Sequence, residues 1–306
     1  MLAALIAAEL GVYLMCGLCL SSALRWAYVW GFALMVGFAL AARLGIVAAS
    51  FALAQPFRER PDCTSMSLPD RLRMFCVEFF FFTLLFTLLQ PLERWVMRGR
   101  ATTAVDPRSP PVLMIPGIYC NAGIWWWMRR RLSKFGLKTI AINLEPLLAS
   151  IDDLAEQLAV HIESACTETG ADRVILVGHS MGGLVARTYL RRFGAEARVA
   201  KLITLATPHH GSELARLAFG VDGKQLRPGN PWLASLNESE SAASCVPLVS
   251  LFTWQDNFVA PQDSPMLPNA TNIALTGMGH LSLLFSAAVA QHVHDEIVAL
   301  RNETHA

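Results

Sequence analysis

The pattern of hydrophobic and polar positions divides the chain into two unequal parts. The first 98 residues consist mostly of long uncharged runs, whereas beyond residue 111 short apolar runs alternate with amphipathic stretches. Residues 99–111, which contain three prolines, break both patterns and are predicted to be a linker. We therefore expect a membrane-anchoring region at 1–98 and a separate folded domain at 112–306.

The first two apolar runs predict helices that cross a membrane. Residues 1–24 are uncharged apart from Glu9, and no basic residue precedes the apolar stretch, so we expect a retained helix rather than a cleaved signal peptide. Residues 26–42 form a second uncharged run, bracketed by Arg25 and Arg43, whose side chains can reach the two membrane surfaces.

Two further apolar segments leave the number of spans at two or three. Residues 44–57 are too short to cross alone and either extend the second helix or lie at the interface. The run that begins at Phe79 follows Glu78 and is either a third span or a helix lying on the bilayer or on the enzyme. The arginines that flank the three runs divide equally between the two sides, so both orientations stay open.

The second part predicts an α/β fold in which strands and helices alternate. Short runs rich in β-branched residues, without polar positions, are typical of parallel strands buried on both faces. Such alternation implies right-handed crossovers and a mostly parallel sheet covered by helices on both faces. The predicted strands are 112–116, 138–143, 173–178, 200–205, 247–253 and 272–276, and the predicted helices are 124–135, 150–168, 181–193 and 286–301.

Composition narrows the function classes. Apolar residues make up 54% of the 306 residues and charged residues only 16%, and most of this apolar excess falls in the first hundred residues. The net charge of +1, without a basic stripe, argues against a nucleic-acid partner. The number of cysteines, seven, is odd, and the one C-x-x-C pair, Cys16 and Cys19, lies in an apolar run, so neither a disulfide framework nor a metal cofactor is expected.

The most informative stretch is a strand, a tight turn and a helix at 174–190. The turn carries the pattern Gly-x-Ser-x-Gly, with Ser180 between Gly178 and Gly182. In this context the glycines let strand and helix pass close together, and the serine hydroxyl projects above the end of the strand. Ser180 is therefore predicted to be a nucleophile rather than an ordinary helix cap.

A serine nucleophile needs a base and a group that orients the base, and both are expected later in the chain after strands. Asp256 follows the predicted strand 247–253, and His280 follows the next strand within a Gly-Met-Gly-His turn. We predict His280 as the general base and Asp256 as the orienting acid. Asp222 and Asp263 are weaker candidates for the acid, because neither directly follows a predicted strand.

Backbone N–H groups are predicted to stabilise the negative oxygen of the acyl-transfer intermediate. One belongs to Met181, at the start of the helix, and the other to Ile118, in the turn after the first strand. The pair His209 and His210 is not expected to bind a metal, because adjacent side chains diverge and no acidic partner pattern lies nearby.

These motifs together resemble the α/β-hydrolase superfamily, and within it bacterial triacylglycerol lipases, esterases and GPI-inositol-deacylase-like proteins. The resemblance covers about residues 110–300. The motifs that carry it are 178–183, 206–212 (Ala-Thr-Pro-His-His-Gly-Ser), 232–237, Asp256 with Val259 and Pro261, and Gly279-His280.

The resemblance implies a carboxylic-ester hydrolase with a cap at about 211–246 that could act as a lid. Two positions depart from the pattern. Pro116 stands where many relatives have a histidine that supports the oxyanion loop, and Ser282 stands where calcium-binding lipases often have an acid. The second departure argues against calcium.

The sequence thus predicts a multi-pass membrane enzyme, in the inner membrane of a bacterium, that cleaves acyl or lipid esters through an acyl-enzyme on Ser180. The bilayer and the lipid substrate are the expected partners. Two alternatives stay open: acyl transfer to an acceptor other than water by the same residues, and an inactive membrane scaffold that retains the hydrolase fold.

Overall fold

The N-terminal part forms three long helices. A computed structural model of the chain describes residues 2–57, 66–98, 110–194, 198–240 and 246–304. Helix α1 spans Leu2–Ala23, α2 spans Tyr28–Ala54 and continues into a 3₁₀ turn at Gln55–Phe57, and α3 spans Leu68–Leu84 and continues into a π-helical turn at Leu85–Leu89. The apolar residues after Arg43 thus extend the second helix. Most of the predicted linker lies outside the described residues.

The second part is built on one sheet of six parallel strands. The strand order is β2-β1-β3-β4-β5-β6, and all neighbouring pairs are parallel. The strands are β1 Val112–Ile115, β2 Thr139–Ala141, β3 Val174–His179, β4 Val199–Leu205, β5 Leu248–Thr253 and β6 Thr271–Leu275. The predicted parallel sheet is confirmed, with strand ends that differ from the predicted bounds by up to two residues.

Helices cover both faces of this sheet. A one-turn helix, α4, spans Glu93–Val96 before β1. The remaining helices are α5 Trp126–Lys134, preceded by a 3₁₀ turn at Ala122–Trp125, α6 Ile151–Thr169, α7 Met181–Phe193, α8 Gly220–Gln225, α9 Pro231–Glu240 and α10 Ala287–Thr304. The predicted cap contains α8, α9 and a 3₁₀ turn at Glu213–Leu217, and its residues 241–245 lie outside the described part of the chain.

The N-terminal helices share a hydrophobic core with one face of the sheet. Side chains of α2 and α3, including Val47, Phe82 and Leu85, belong to the same buried cluster as Trp125 and Val177. Burial of such side chains against the sheet stabilises the contact by about 1.5–3 kcal/mol for each fully buried large residue. The helices are therefore packed onto the α/β part and are not connected to it by the linker alone.

Three helices are long and apolar enough to cross a membrane: Leu2–Ala23, Tyr28–Phe57 and Leu68–Leu89. The third also packs against the α/β part, where Phe81 stacks on Phe285 with ring centroids 4.0 Å apart. The third helix thus contacts the α/β part, and the number of spans, two or three, stays a prediction.

Candidate active site

Ser180 lies at a sharp turn between β3 and α7. Its backbone φ is 53°, a left-handed value that is uncommon for a residue with a side chain, and the turn places the serine at the start of the helix. A Cβ added at Gly182 would lie 2.5 Å from the carbonyl oxygen of Ile115, so only glycine allows α7 to pass this close to β1. The turn predicted from the glycine pattern is the turn that the chain adopts.

His280 and Asp256 form a buried hydrogen-bonded pair. His280 Nδ1 lies 2.8 Å from Asp256 Oδ2, and the other oxygen of Asp256 accepts from the N–H groups of Phe258 and Val259. Asp256 is only 1% exposed. Because three donors fix both of its oxygens, this carboxylate holds the imidazole in one orientation. The predicted acid therefore contacts the predicted base.

Two opposing effects set the pKa of His280. Burial lowers it, but the charge of Asp256, the hydrogen bond to Asp256 and the charge of Glu78 together raise the pKa above its ordinary value. The pKa of the neighbouring His179 is shifted in the opposite direction. Burial and the charge of His280 lower the pKa of His179 well below its ordinary value, although the hydrogen bond to the His280 carbonyl oxygen acts to raise this pKa. The site thus combines a basic imidazole with a neutral one.

Ser180 and His280 line the same cavity, together with Ile118. Among the described residues no hydrogen bond joins the Ser180 hydroxyl to the His280 ring. Such bonds are often long in unliganded enzymes and tighten when substrate binds. Met181 is the first residue of α7, so its N–H has no acceptor within the helix, and its role as an oxyanion donor stays a prediction.

The loop that carries Ile118 packs on the nucleophile turn. A Cβ at Gly117 would lie 3.0 Å from Ser180 Cβ and 3.2 Å from His179 Nδ1. The loop after β1, which contains Pro116, is thereby held beside Ser180.

The cavity has a volume of about 640 Å³ and is lined mainly by apolar side chains. Such a volume lies within the range of about 300–1,000 Å³ typical of small-molecule sites. Part of the lining comes from α2 and α3, and another part comes from the cap segment and the loop after β1. The cavity is therefore built jointly by the N-terminal helices and the α/β part.

A carboxylate from α3 holds the loop that carries His280. Glu78 is fully buried, and its two oxygens accept from the N–H groups of Leu281 and Ser282, each at 2.9 Å. A Cβ at the preceding Gly279 would lie 2.6 Å from the Glu78 carboxylate, which shows how tightly the loop wraps around it. The sequence analysis did not assign Glu78 a role, although an acid within an apolar helix is itself a signal of function.

A second contact from the N-terminal helices reaches the same loop. The Oδ1 atom of Asn257 accepts from the N–H of His280 at 3.0 Å, and its Nδ2 donates to the Ser50 hydroxyl of α2 at 2.7 Å. The His179 ring, at 3.2 Å, donates from Nε2 to the carbonyl oxygen of His280. The backbone N–H and carbonyl of His280 are thus both bonded to side chains.

His209 and His210 point to different partners. His209 is buried between Arg187, 3.0 Å from its Nδ1, and Thr204, while His210 Nδ1 faces the carbonyl oxygen of Ser264. Burial and the neighbouring charges lower the pKa of His209 well below its ordinary value. This arrangement gives the pair a role in holding the loop after β4, and among the described residues no cluster suited to a metal ion is found.

The architecture resembles solved lipase structures. The mature form of the Bacillus licheniformis lipase BlEst2 superposes with a TM-score of 0.54 and 24% identity, over 59% of this chain and 88% of that one. Aspergillus fumigatus lipase B superposes with a TM-score of 0.53 and 17% identity, over 61% and 53%. The chain folds as an α/β-hydrolase. The fold class predicted from the sequence is confirmed.

Sequence comparisons point to the same group. A family profile described as "PGAP1-like alpha/beta domain" matches residues 141–292 of the chain. A triacylglycerol lipase of Pseudomonas fragi is 39% identical over 143 residues, which cover 43% of this chain and 45% of the relative. A triacylglycerol lipase of Pseudarthrobacter phenanthrenivorans is 33% identical over 115 residues, which cover 34% and 35%. The match thus spans less than half the length of these relatives, and the predicted resemblance to bacterial lipases is confirmed.

Proposed function

We propose that the protein is a membrane-anchored serine hydrolase that cleaves carboxylic esters of lipids through an acyl-enzyme on Ser180. The observation that carries the proposal is the buried pair of His280 and Asp256, whose histidine lines one cavity with Ser180. The kinship with proteins named triacylglycerol lipases supports an ester as the substrate class. The three apolar helices support membrane anchoring, in which α1 and α2 cross the bilayer.

The first half of the reaction forms the acyl-enzyme. His280 Nε2 accepts the proton of the Ser180 hydroxyl as its oxygen attacks the ester carbonyl carbon. The carbonyl oxygen becomes negative and is stabilised by the N–H groups of Ile118 and Met181. Asp256 stabilises the imidazolium, which then gives its proton to the leaving alcohol as the ester C–O bond breaks.

The second half repeats these steps with water. His280 accepts a proton from the water as its oxygen attacks the acyl-enzyme carbonyl, and it returns the proton to Ser180 as the free acid departs. An alcohol in place of water would give acyl transfer with the same residues. Product analysis with added alcohol measures how the acyl group divides between the two acceptors.

The test compares Ser180→Ala with Ser235→Ala in the full chain purified in detergent micelles. Ser235 is exposed and bonds to Arg191, so its change is the matched control. We expect Ser180→Ala to abolish fluorophosphonate labelling and to lower ester hydrolysis by several orders of magnitude, while Ser235→Ala keeps both. Labelling that persists in Ser180→Ala would assign the nucleophile to another residue and overturn the proposal.

A further inference from the structure

The cavity beside Ser180 has a wall that a hydrolase domain alone would lack. One face of α2 contributes Ile46, Ala49 and Leu53, which follow one another at helical spacing, and α3 contributes Phe82 and Phe86. Ile46 and Leu53 are each 47% exposed, so the cavity is open along α2. An apolar cavity of this shape suits a hydrocarbon chain.

The cap segment also contributes apolar side chains to the cavity. The cap segment places Leu214, Leu217 and Phe219 in the cavity lining, and the last two are 65% and 78% exposed. Exposed apolar side chains of this size, contributed to one cavity by both α2 and the cap segment, are typical of a surface that contacts lipid or a partner.

The length of α2 places this opening at a membrane surface. The helix and its final turn span Tyr28–Phe57, 30 residues. About 20 residues cross a hydrocarbon core of about 30 Å. The exposed rings of Trp26 and Trp30 at the start of α2 are suited to one interface, so the helix emerges at the other from about residue 48. Ala49 and Leu53 then lie at that second interface.

We propose that the face of α2 containing Ile46, Ala49 and Leu53 is the binding wall for the acyl chain of a lipid ester, which enters sideways from the bilayer. This inference rests on the proposed function. The scissile carbonyl reaches Ser180 while the chain lies against α2 and the aromatic rings of α3. The N-terminal helices thereby select the substrate.

The experiment narrows the cavity from the α2 side. Ala49→Trp puts a large ring into the wall, and Ala48→Trp puts the same ring on the neighbouring position, which is exposed and does not line the cavity. Hydrolysis of p-nitrophenyl esters with four-carbon and sixteen-carbon acyl chains is measured in detergent micelles with the full chain. The quantity compared is the kcat/KM for the sixteen-carbon ester divided by the kcat/KM for the four-carbon ester. We expect Ala49→Trp to lower this ratio by at least about tenfold, because the ring occupies space that only the long chain needs. Ala48→Trp should keep the wild-type ratio.

Other outcomes distinguish a failure of the proposed binding wall on α2 from a failure of the proposed function. An unchanged ratio in Ala49→Trp, with intact fluorophosphonate labelling, would overturn the binding wall and leave the hydrolase function standing. If Ala49→Trp does not accumulate, Leu53→Trp, one turn further along the same face, takes its place with the same expectation. Wild-type protein without any Ser180-dependent hydrolysis would refute the proposed function itself.

A second inference comes from Glu78. The two carboxylate oxygens each accept one backbone N–H of the residues that follow His280, an arrangement suited to an ionised acid. Glu78 is not itself among the residues that line the cavity, and its oxygens bond to the backbone of Leu281 and Ser282, so it acts on the loop and not on substrate. We infer that Glu78 is a positioning residue that fixes the loop carrying the catalytic base, again on the basis of the proposed function.

The test compares Glu78→Gln and Glu78→Asp with Asp70→Asn, an acid at the exposed start of the same helix. A shift of the base by about 1 Å can cost about 10²-fold in rate, so we expect Glu78→Gln to lower kcat by tenfold to a hundredfold with little change in KM. The charges that face His280 are those of Asp256 and Glu78, and its other titratable neighbour is His179. Loss of one negative charge should move the acid limb of the pH profile to lower pH in Glu78→Gln but not in Glu78→Asp.

A purely structural role predicts a different result. Lower thermal stability of Glu78→Gln, with wild-type kcat and pH profile in the protein that remains folded, would overturn the inference. If Glu78→Gln fails to fold, Glu78→Asp still decides the matter, because the shorter acid should lower kcat without moving the acid limb. A wild-type kcat in Glu78→Asp would then refute the positioning role.

Discussion

Asp256→Asn removes the negative charge beside His280 while leaving the side-chain volume nearly unchanged. One oxygen of Asp256 accepts from the N–H groups of Phe258 and Val259, at 2.8 and 2.7 Å. The amide oxygen of asparagine must take this place, because an NH₂ group there would face two donors. The NH₂ group is then turned toward His280 Nδ1.

This forced orientation inverts the imidazole tautomer. His280 Nδ1 would accept a hydrogen bond from the amide, so the proton would move to Nε2, the atom that must accept the proton of Ser180. The same change in a serine protease with this triad lowers kcat about 10⁴-fold. At about 1.36 kcal/mol for each factor of ten, this loss corresponds to about 5.4 kcal/mol of transition-state stabilisation. We expect a decrease of that order here.

The assay is kcat/KM for a short p-nitrophenyl ester, with Asp263→Asn as the matched control. Asp263 was the rival acid in the sequence analysis, but His280 bonds to Asp256. We expect Asp263→Asn to keep activity within about twofold, since Asp263 is half-buried and does not line the cavity that contains Ser180 and His280. A larger loss in Asp263→Asn than in Asp256→Asn, or a loss below tenfold in Asp256→Asn, would refute this reasoning.

Two further predictions concern pH and the nucleophile turn. Since Asp256 and Glu78 raise the pKa of His280 above its ordinary value of about 6.5, kcat/KM should fall as pH decreases through a midpoint above 6.5; a midpoint below 6.5 would contradict this. The raised pKa of His280 also links the stability of the fold to pH. The stability that protonated His280 contributes is complete below the pKa of this histidine in the unfolded state, and it is lost as pH rises through its pKa in the folded state. Gly182→Ala would bring a Cβ within 2.5 Å of the backbone of β1. We therefore expect this change to lower the free energy of unfolding by about 1–3 kcal/mol. Gly45→Ala, with nothing within 4 Å, should not destabilise the protein, and equal thermal midpoints of the two variants would disprove the close-packing argument.

The fold and the contact between the candidate residues Asp256 and His280 could be predicted because their signals are local. Ser180 occupies a turn whose glycines are required by sterics, and the sequence shows these glycines directly. Asp256 and His280 each follow a strand, and parallel strands bring their carboxyl ends to one edge of the sheet. The order of elements and the pattern of glycines were therefore sufficient to predict the pairing of Asp256 with His280.

The contribution of the N-terminal helices could not be predicted in the same way. Glu78 lies 203 residues before Leu281, and Ser50 lies 207 residues before Asn257, so no local pattern links the members of either pair. Hydropathy alone marks these helices as apolar and says nothing of which face meets the enzyme. Only packing in three dimensions brings Glu78 to the loop after His280.

The placement of polar groups in the helices argues for more than anchoring. A membrane anchor requires only apolar length, and a buried carboxylate or serine in it costs free energy unless each is hydrogen-bonded. Glu78 and Ser50 are both bonded to the elements around His280, directly or through Asn257. Separation of the helices from the α/β part would leave the Glu78 carboxylate without these donors and the His280 loop without its support, so the same contacts couple the N-terminal helices to the candidate active site.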